Sequence, residues 1–294
     1  MSHLRSGDFD VPFARHYTPG QSLNTIFFML IDTHCHLSYP GLYENVGAVL
    51  ARAATAGEGG GVGVSRVITI GTHLDDHTKT LSIANAHASV FAALGIHPHH
   101  AAETEEGYEG FLENKLRTEK KVVALGECGL DYHYDYAPRL LQRGVFLNQL
   151  EIARRLGLPA VLHVRDAHAD ALAIMRSFPE LKFVVHCFTG TPAECEAWLG
   201  LGAYIGITGI VTYKNAADVQ AAAKRVPADK LLLETDAPYL SPEPVRKIKT
   251  NEPAHVVHTA RFVAGLRGVS LEELARQTTA NAGRLFGEKL IQPF

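Results

Sequence analysis

AVLHVRDAHADALAIMRSFPELKFVVHC, residues 160–187, contains two short apolar runs separated by a longer segment of helical character. The runs are Ala160–Val164 and Leu181–Val185. Their hydrophobic residues are continuous rather than alternating, which is typical of strands buried on both faces of a parallel sheet. A strand, a helix-like segment and a second strand in this order predict a β-α-β unit. The stretch therefore indicates an α/β fold.

The same alternation of strand and helix repeats along the chain. Helix signals lie between and after the runs, including a first-turn proline and a terminating glycine in Pro138–Gly157 and a capping box at Ser270 and Glu273. Eight such units in about 260 residues predict a single-domain (β/α)8 TIM barrel. A doubly wound open sheet is the alternative, but no GxGxxG or Walker loop follows any run. The other six strand-like runs are Met29–Thr33, Val64–Ile70, Val90–Ile96, Val122–Gly126, Ala203–Thr208 and Leu231–Thr235.

Composition limits the location and the partners of the protein. Of its 294 residues, 46% are hydrophobic, and the formal charge of −3 excludes holding long nucleic acids by overall charge. Residues 1–28 carry no periodic pattern, so we expect a tail at 1–28 and one barrel domain at 29–294. The four cysteines form no CxxC pair, which predicts reduced thiols and a cytoplasmic protein. No apolar run reaches about 18 residues, so we expect that the protein does not enter membranes.

Ligand-type side chains follow most of the predicted strands. In a barrel of this kind the chemistry takes place at the carboxyl ends of the strands. His34 and His36 are two residues apart, so both imidazoles can face the barrel axis while Cys35 points away. The candidate ligand positions at strand ends are His34, His36, His97, His99, Glu127, His163, His186 and Asp236.

This mixture of imidazoles and carboxylates suits divalent Zn, Mn or Mg and is large enough for two ions. Glu127 is the candidate bridging carboxylate. A single histidine at a strand end is more often structural, but several buried ionisable groups together are costly unless they are paired or metal-bound. Most other histidines, including His77, are expected to be solvated, and Cys35, Cys128 and Cys187 are expected to fill the core.

Seven motifs in this chain resemble those of the TatD-type metal-dependent deoxyribonucleases, from Met29 to about Phe286. The resemblance implies an amidohydrolase-like hydrolase with a (β/α)8 barrel and two divalent metal ions. It implies one ion held by His34, His36, Glu127 and Asp236, and another held by Glu127, His163 and His186. The motifs are DTHCHL (32–37), GIHPH (95–99), ALGECGLDYH (124–133), LHVRDA (162–167), VHCFTG (185–190), ETDAPYL (234–240) and NEP (251–253).

Two further roles follow from the resemblance. His97 and His99 lie where some relatives hold a third metal near the nucleotide phosphate, or they orient the substrate. The loop before NEP reads RKIKT, so Thr250 stands where many relatives place a basic residue. Lys247 and Lys249 are candidates to replace that phosphate contact.

The function that these residues favour is hydrolysis of phosphodiester bonds in DNA through a metal-activated hydroxide, as an exonuclease acting on a single strand or a strand end. The catalytic residues are Asp236, which handles the proton of the attacking water, and Glu127. Arg165 either contacts phosphate or forms an ion pair with Asp166 or Asp170. No obligate protein partner is predicted.

Two other functions remain open at this point. The same chemistry attacks a carbonyl carbon, so a metal-dependent ester or amide hydrolase, such as a D-aminoacyl-tRNA deacylase, is an alternative. A non-catalytic metal-binding scaffold is the third hypothesis, although a structural site is usually closed and needs no acid to orient water.

Overall fold

Eight parallel strands, paired in sequence order, form one sheet in the computed structural model, which describes residues 29–55, 62–134 and 136–292. The predicted tail at 1–28 lies outside these described residues. All seven neighbouring pairs from the first strand to the last are parallel. The strands are β1 Leu30–Cys35, β2 Val64–Gly71, β3 Val90–Leu94, β4 Val122–Asp131, β5 Ala160–Arg165, β6 Phe183–Val185, β7 Tyr204–Ile207 and β8 Leu231–Leu233.

Helices connect the strands and surround the sheet. The helix predicted between Pro138 and Gly157 is present: Pro138 precedes its first residue, and Gly157 ends it with a φ of 64°. No helix in the described part of the chain is long and apolar enough to cross a lipid bilayer. The helices are α1 Val46–Ala54, α2 Leu74–Ala86, α3 Tyr108–Thr118, α4 Arg139–Leu156, α5 His168–Met175, α6 Pro192–Gly200, α7 Ala217–Arg225, α8 Val256–Arg267 and α9 Leu271–Phe286.

The first strand meets the segment that follows the last one. The backbone N–H of Asp236 donates to the carbonyl of His34 at 2.9 Å, and the N–H of His36 donates to the carbonyl of Ala237 at 2.7 Å. These bonds join β1 to the end of β8, so the sheet closes on itself. The predicted (β/α)8 barrel is therefore confirmed, and the closure brings His34, His36 and Asp236 together.

Apolar side chains fill two layers. Those in the interior of the barrel include Ile70, Phe91 and Val161, and Leu285 and Phe286 of α9 pack against them. A larger layer lies between the strands and the surrounding helices. Burial of this kind contributes about 25 cal/mol for each Å² of apolar surface, so the two layers hold the strand ends in place.

Strand β4 is longer than the sequence predicts. The run was expected to end at Gly126, but the strand continues to Asp131. Gly129 in this extension pairs with His163 of β5, and an added Cβ at Gly129 would collide with the carbonyl oxygen of His163. Glycine therefore lets β4 and β5 approach closely, which places Glu127 beside His163.

Candidate active site

A cleft of about 800 Å³ opens at the carboxyl end of the barrel. The predicted position of the chemistry and the position of the cleft therefore coincide. Acidic and histidine side chains form the floor of the cleft, and aromatic side chains stand at its mouth. Its lining includes His36, Tyr39, His97, His99, Glu127, Asp131, Tyr134, Tyr136, His163, Arg165, His186, Cys187, Asp236 and Tyr239.

The carboxylate of Glu127 lies at the centre of the histidines. Its Oε2 is 3.4 Å from His34 Nε2 and 3.9 Å from His36 Nε2. Its Oε1 faces three other imidazoles at 2.8, 3.6 and 3.7 Å, those of His163, His97 and His186 respectively. The two oxygens thus face separate sets of ring nitrogens, which is the arrangement that a bridging carboxylate needs.

Asp236 supplies the second acid. Its Oδ1 lies 3.3 Å from His36 Nε2 and 3.7 Å from His34 Nε2, while the two imidazole nitrogens are themselves 3.3 Å apart. In a tetrahedral site with bonds of about 2.1 Å, neighbouring ligand atoms lie about 3.4 Å apart. His34, His36 and Asp236 therefore fit a divalent ion by both spacing and donor chemistry, and Glu127 lies 3.4 Å from His34 beside them.

Among the described residues, four groups of three side chains have ligand atoms within 4.8 Å of one another. All four lie in this cluster, which extends over more than one such position. The described residues thus offer more than one set of three candidate ligands. The groups are His34 with Glu127 and His186, His34 with His36 and Asp236, His97 with Glu127 and His163, and His186 with Cys187 and Asp236.

Neighbouring acids and histidines shift one another's pKa within the cluster. Burial alone would raise the pKa of Glu127, but the surrounding histidines hold it well below its usual value. Burial disfavours charge on His186 as well, yet Glu234, Glu127 and Asp236 raise its pKa to about 10. Glu127 is therefore ionised, as a metal ligand must be, and binding of a cation would displace the proton of His186.

Asp131 is a buried acid that the strand-end pattern did not indicate. Its Oδ2 lies 2.9 Å from His163 Nε2 and 3.0 Å from His99 Nε2, and its Oδ1 accepts the backbone N–H groups of His133 and Tyr134. These histidines hold the pKa of Asp131 below its usual value against the effect of burial. Asp131 therefore fixes the orientation of His163, in the way that carboxylates orient metal-binding histidines.

We expect Asp131→Asn to weaken metal binding by about 10- to 100-fold, because an amide –NH2 cannot accept the hydrogen bonds of the two imidazoles. Isothermal titration with Mn²⁺ measures the affinity, and activity should return at high metal concentration if the role is positioning. The matched control is Asp166→Asn, since Asp166 is an exposed acid paired with His133. An unchanged affinity in Asp131→Asn would contradict the role.

One buried side chain, that of Glu234, supports His186 in a similar manner. Glu234 is 1% exposed, and its Oε1 lies 2.9 Å from His186 Nδ1. The same carboxylate accepts the backbone N–H of Cys187. Glu234 begins the motif ETDAPYL, but its place in the chain did not reveal that it contacts a histidine far away in the sequence.

The prediction that Cys187 fills the core was wrong. Cys187 is half-buried and lines the cleft, because β6 ends at Val185 and Cys187 has a φ of 45°. Strand alternation therefore does not apply to it. His77 differs from expectation too: it is fully buried, and its Nε2 lies 2.9 Å from the carbonyl oxygen of Gly95. Cys35 and Cys128 are buried as predicted.

The basic residues proposed for phosphate contact fall in different places. Arg165 is half-buried and lines the cleft. Asp166 contacts His133 and Asp170 contacts Arg143, so neither forms the ion pair with Arg165 that was the alternative. Lys247 and Lys249 lie on the exposed loop after β8, and neither is among the residues that line the cleft.

The comparisons with known proteins agree with this geometry. The sequence model of the family described as TatD related DNase matches residues 31–287. The protein is 39% identical to the uncharacterized metal-dependent hydrolase YcfH of Escherichia coli strain K12, with 87% of this chain and 95% of the relative covered. It is 40% identical to a protein of Erwinia tasmaniensis named 3'-5' ssDNA/RNA exonuclease TatD, with 87% and 99% covered.

The fold of this protein is also similar to that of a solved structure from the same family. The crystal structure of YJJV, a TatD homolog from Escherichia coli K12, matches with a TM-score of 0.81 at 32% identity. The match covers 87% of this chain and 97% of that chain. Similarity in sequence and in fold therefore extends over nearly the whole barrel.

Proposed function

Because this chain belongs to the family of TatD-related DNases, whose relatives include metal-dependent hydrolases, we propose that it cleaves phosphodiester bonds in DNA from the end of a single strand. The observation that carries the proposal is the placement of Glu127, whose two oxygens face separate sets of imidazoles beside Asp236 on the cleft floor. The four unpaired cysteines fit a reducing compartment, so we place the reaction in the cytosol. We also assign the activity to a single domain at 29–294.

His34, His36, Glu127 and Asp236 would hold one divalent ion. Glu127, with His163 and His186, would hold a second, and His97 is close enough to Glu127 to share in that site. When bound there, Zn, Mn or Mg ions supply positive charge that neutralises phosphate oxygens and makes water more acidic. His99 contacts Asp131 rather than Glu127, so its role is to orient neighbouring side chains.

Asp236 is the residue placed to handle protons. Its side chain is 15% exposed to the cleft, whereas that of Glu127 is only 3% exposed. The nearby histidines hold the pKa of Asp236 below its usual value, so the carboxylate is ionised and can orient a water and accept its proton. Arg165 contributes a positive charge at the wall of the cleft, where it can bind phosphate.

The position of the cleft favours a strand end. The acids lie on the floor of a pocket inside the barrel mouth. The central part of a stiff DNA duplex cannot reach this floor, whereas the end of a single strand can. The Erwinia relative is named for 3'-5' activity on single-stranded DNA and RNA, which supports attack from the 3′ end here. Ester or amide hydrolysis uses the same acids, so an assay must separate the two activities.

The test compares two substrates under the same conditions. We expect a 5′-labelled single-stranded DNA to be shortened stepwise with Mg²⁺, Mn²⁺ or Zn²⁺, and a D-aminoacyl ester on tRNA to be left intact. EDTA and His163→Ala should abolish the cleavage, since His163 contacts Glu127 at 2.8 Å. His258→Ala, in a histidine of α8 outside the cleft, is the matched control and should cleave normally. Hydrolysis of the ester alone would contradict the proposal.

A further inference from the structure

Two exposed tyrosines stand at the mouth of the cleft, and none of the steps above uses them. Tyr134 is 38% exposed and Tyr136 is 64% exposed. Their rings are stacked, with centroids 5.2 Å apart and planes only 10° from parallel. Aromatic rings contribute to stability mainly when they are buried, so a parallel pair facing solvent provides a flat apolar surface for a ligand.

The pair lies close to the acids of the floor. The ring of His99 contacts both tyrosines, at 5.5 Å from Tyr134 and 4.7 Å from Tyr136. His99 in turn lies 3.0 Å from Asp131, which holds His163 against Glu127. A molecule stacked on the tyrosines would therefore be one imidazole away from the residues that hold the ions.

A positive charge accompanies the rings. The guanidinium of Arg165 lies 4.9 Å from the centroid of the Tyr134 ring. Because the neighbouring acids Asp166 and Asp170 contact other partners, this cation is available to the cleft. A flat apolar surface beside a cation matches a nucleotide, which combines a planar base with a phosphate.

We propose that Tyr134 and Tyr136 form a stacking surface for an unpaired base near the cleaved end of the strand, with Arg165 contacting the adjacent phosphate. This inference rests on the proposed function, because it assigns a base-binding position to the same cleft. Every base has a π face, so such a surface accepts all four bases. It requires the base to leave its partner, which selects single strands.

The test uses two probes, a decamer of thymidylate and the same decamer whose two residues at each end lack the base. KM and kcat for both are measured with Mn²⁺, and equilibrium binding of both is measured by fluorescence anisotropy with Ca²⁺. In the wild-type protein the complete decamer should bind about tenfold more tightly than the abasic one. In Tyr136→Leu and Tyr134→Leu, the ratio of the affinities for the complete and the abasic decamer should fall towards one. KM for the complete decamer should rise, while kcat should change little.

Matched variants separate stacking from a structural role. Tyr136→Phe and Tyr134→Phe keep the ring and should keep the wild-type ratio. Tyr43→Leu replaces a tyrosine that is 42% exposed but lies outside the cleft lining, and it should also keep the ratio. A ratio unchanged in both Tyr→Leu variants overturns the stacking surface, even if the DNA is cleaved. If neither decamer is cleaved but base-dependent binding is lost in these variants, the proposed function fails and the stacking surface stands.

Discussion

Glu127→Gln is expected to lower the rate of DNA cleavage by about a thousandfold or more. The carboxylate is the acid shared by two sets of imidazoles, so its loss removes negative charge from both proposed ion positions at once. An amide of the same shape leaves packing intact, and the nearby histidines can shed protons to compensate. We therefore expect a folded protein with a lower metal content.

Metal content measured by mass spectrometry after dialysis tests this prediction together with the cleavage rate. Glu196→Gln is the matched control, because Glu196 is an exposed acid paired with Arg225 on the outer helices. Circular dichroism melting checks that both variants fold. If Glu127→Gln retained the wild-type metal content, Glu127 could not be the bridging ligand.

Asp236→Asn is expected to reduce turnover by at least about a hundredfold, the usual effect of losing a group that transfers a proton. Asp236 has a φ of 56°, in the left-handed region that asparagine tolerates as well as aspartate does. The backbone bond between Asp236 and His34 can therefore persist in this variant. The amide oxygen can still face the ions, whereas it cannot accept a proton at neutral pH.

The measurement is kcat at saturating Mn²⁺ and DNA, so that weaker binding does not obscure the chemical step. Asp229→Asn, at an exposed acid on the turn before β8, provides the comparison and should cleave normally. A variant at Asp236 that kept its turnover within a few fold of wild type would show that another group transfers the proton.

The carboxyl ends of the predicted strands indicated the principal cluster because parallel strands in a barrel end at the same rim. His34, His36, Glu127, His163, His186 and Asp236 meet there as the residue pattern predicts. The strand ends and the closed barrel topology suffice to bring these residues together, whatever the exact helix boundaries.

Asp131 and Glu234 were missed although Asp131 ends β4 and Glu234 directly follows β8, because the predicted runs placed these strand ends elsewhere. Asp131 was excluded by the prediction that β4 stops at Gly126. Spacing could have found it, since Glu127 and Asp131 are four residues apart and so share one face of a strand. Glu234 directly follows β8, but its contact with His186 depends on how the ends of β6 and β8 face each other.

Backbone conformation explains the error at Cys187. Alternation along a strand predicts where a side chain points only while the strand continues, and β6 ends before this residue. The exposed Lys247 and Lys249 lie in a long connection after β8, where sequence spacing carries little information about direction. Strand alternation therefore could not predict the direction of Cys187, which follows the last residue of β6.

The bonds that join residues 34–36 to residues 236–237 connect positions about two hundred residues apart in the chain. A nascent chain whose synthesis has not yet reached Asp236 lacks both these hydrogen bonds and the Asp236 carboxylate. Under the proposed activity, unfinished copies on the ribosome would be inert towards the nucleic acids around them.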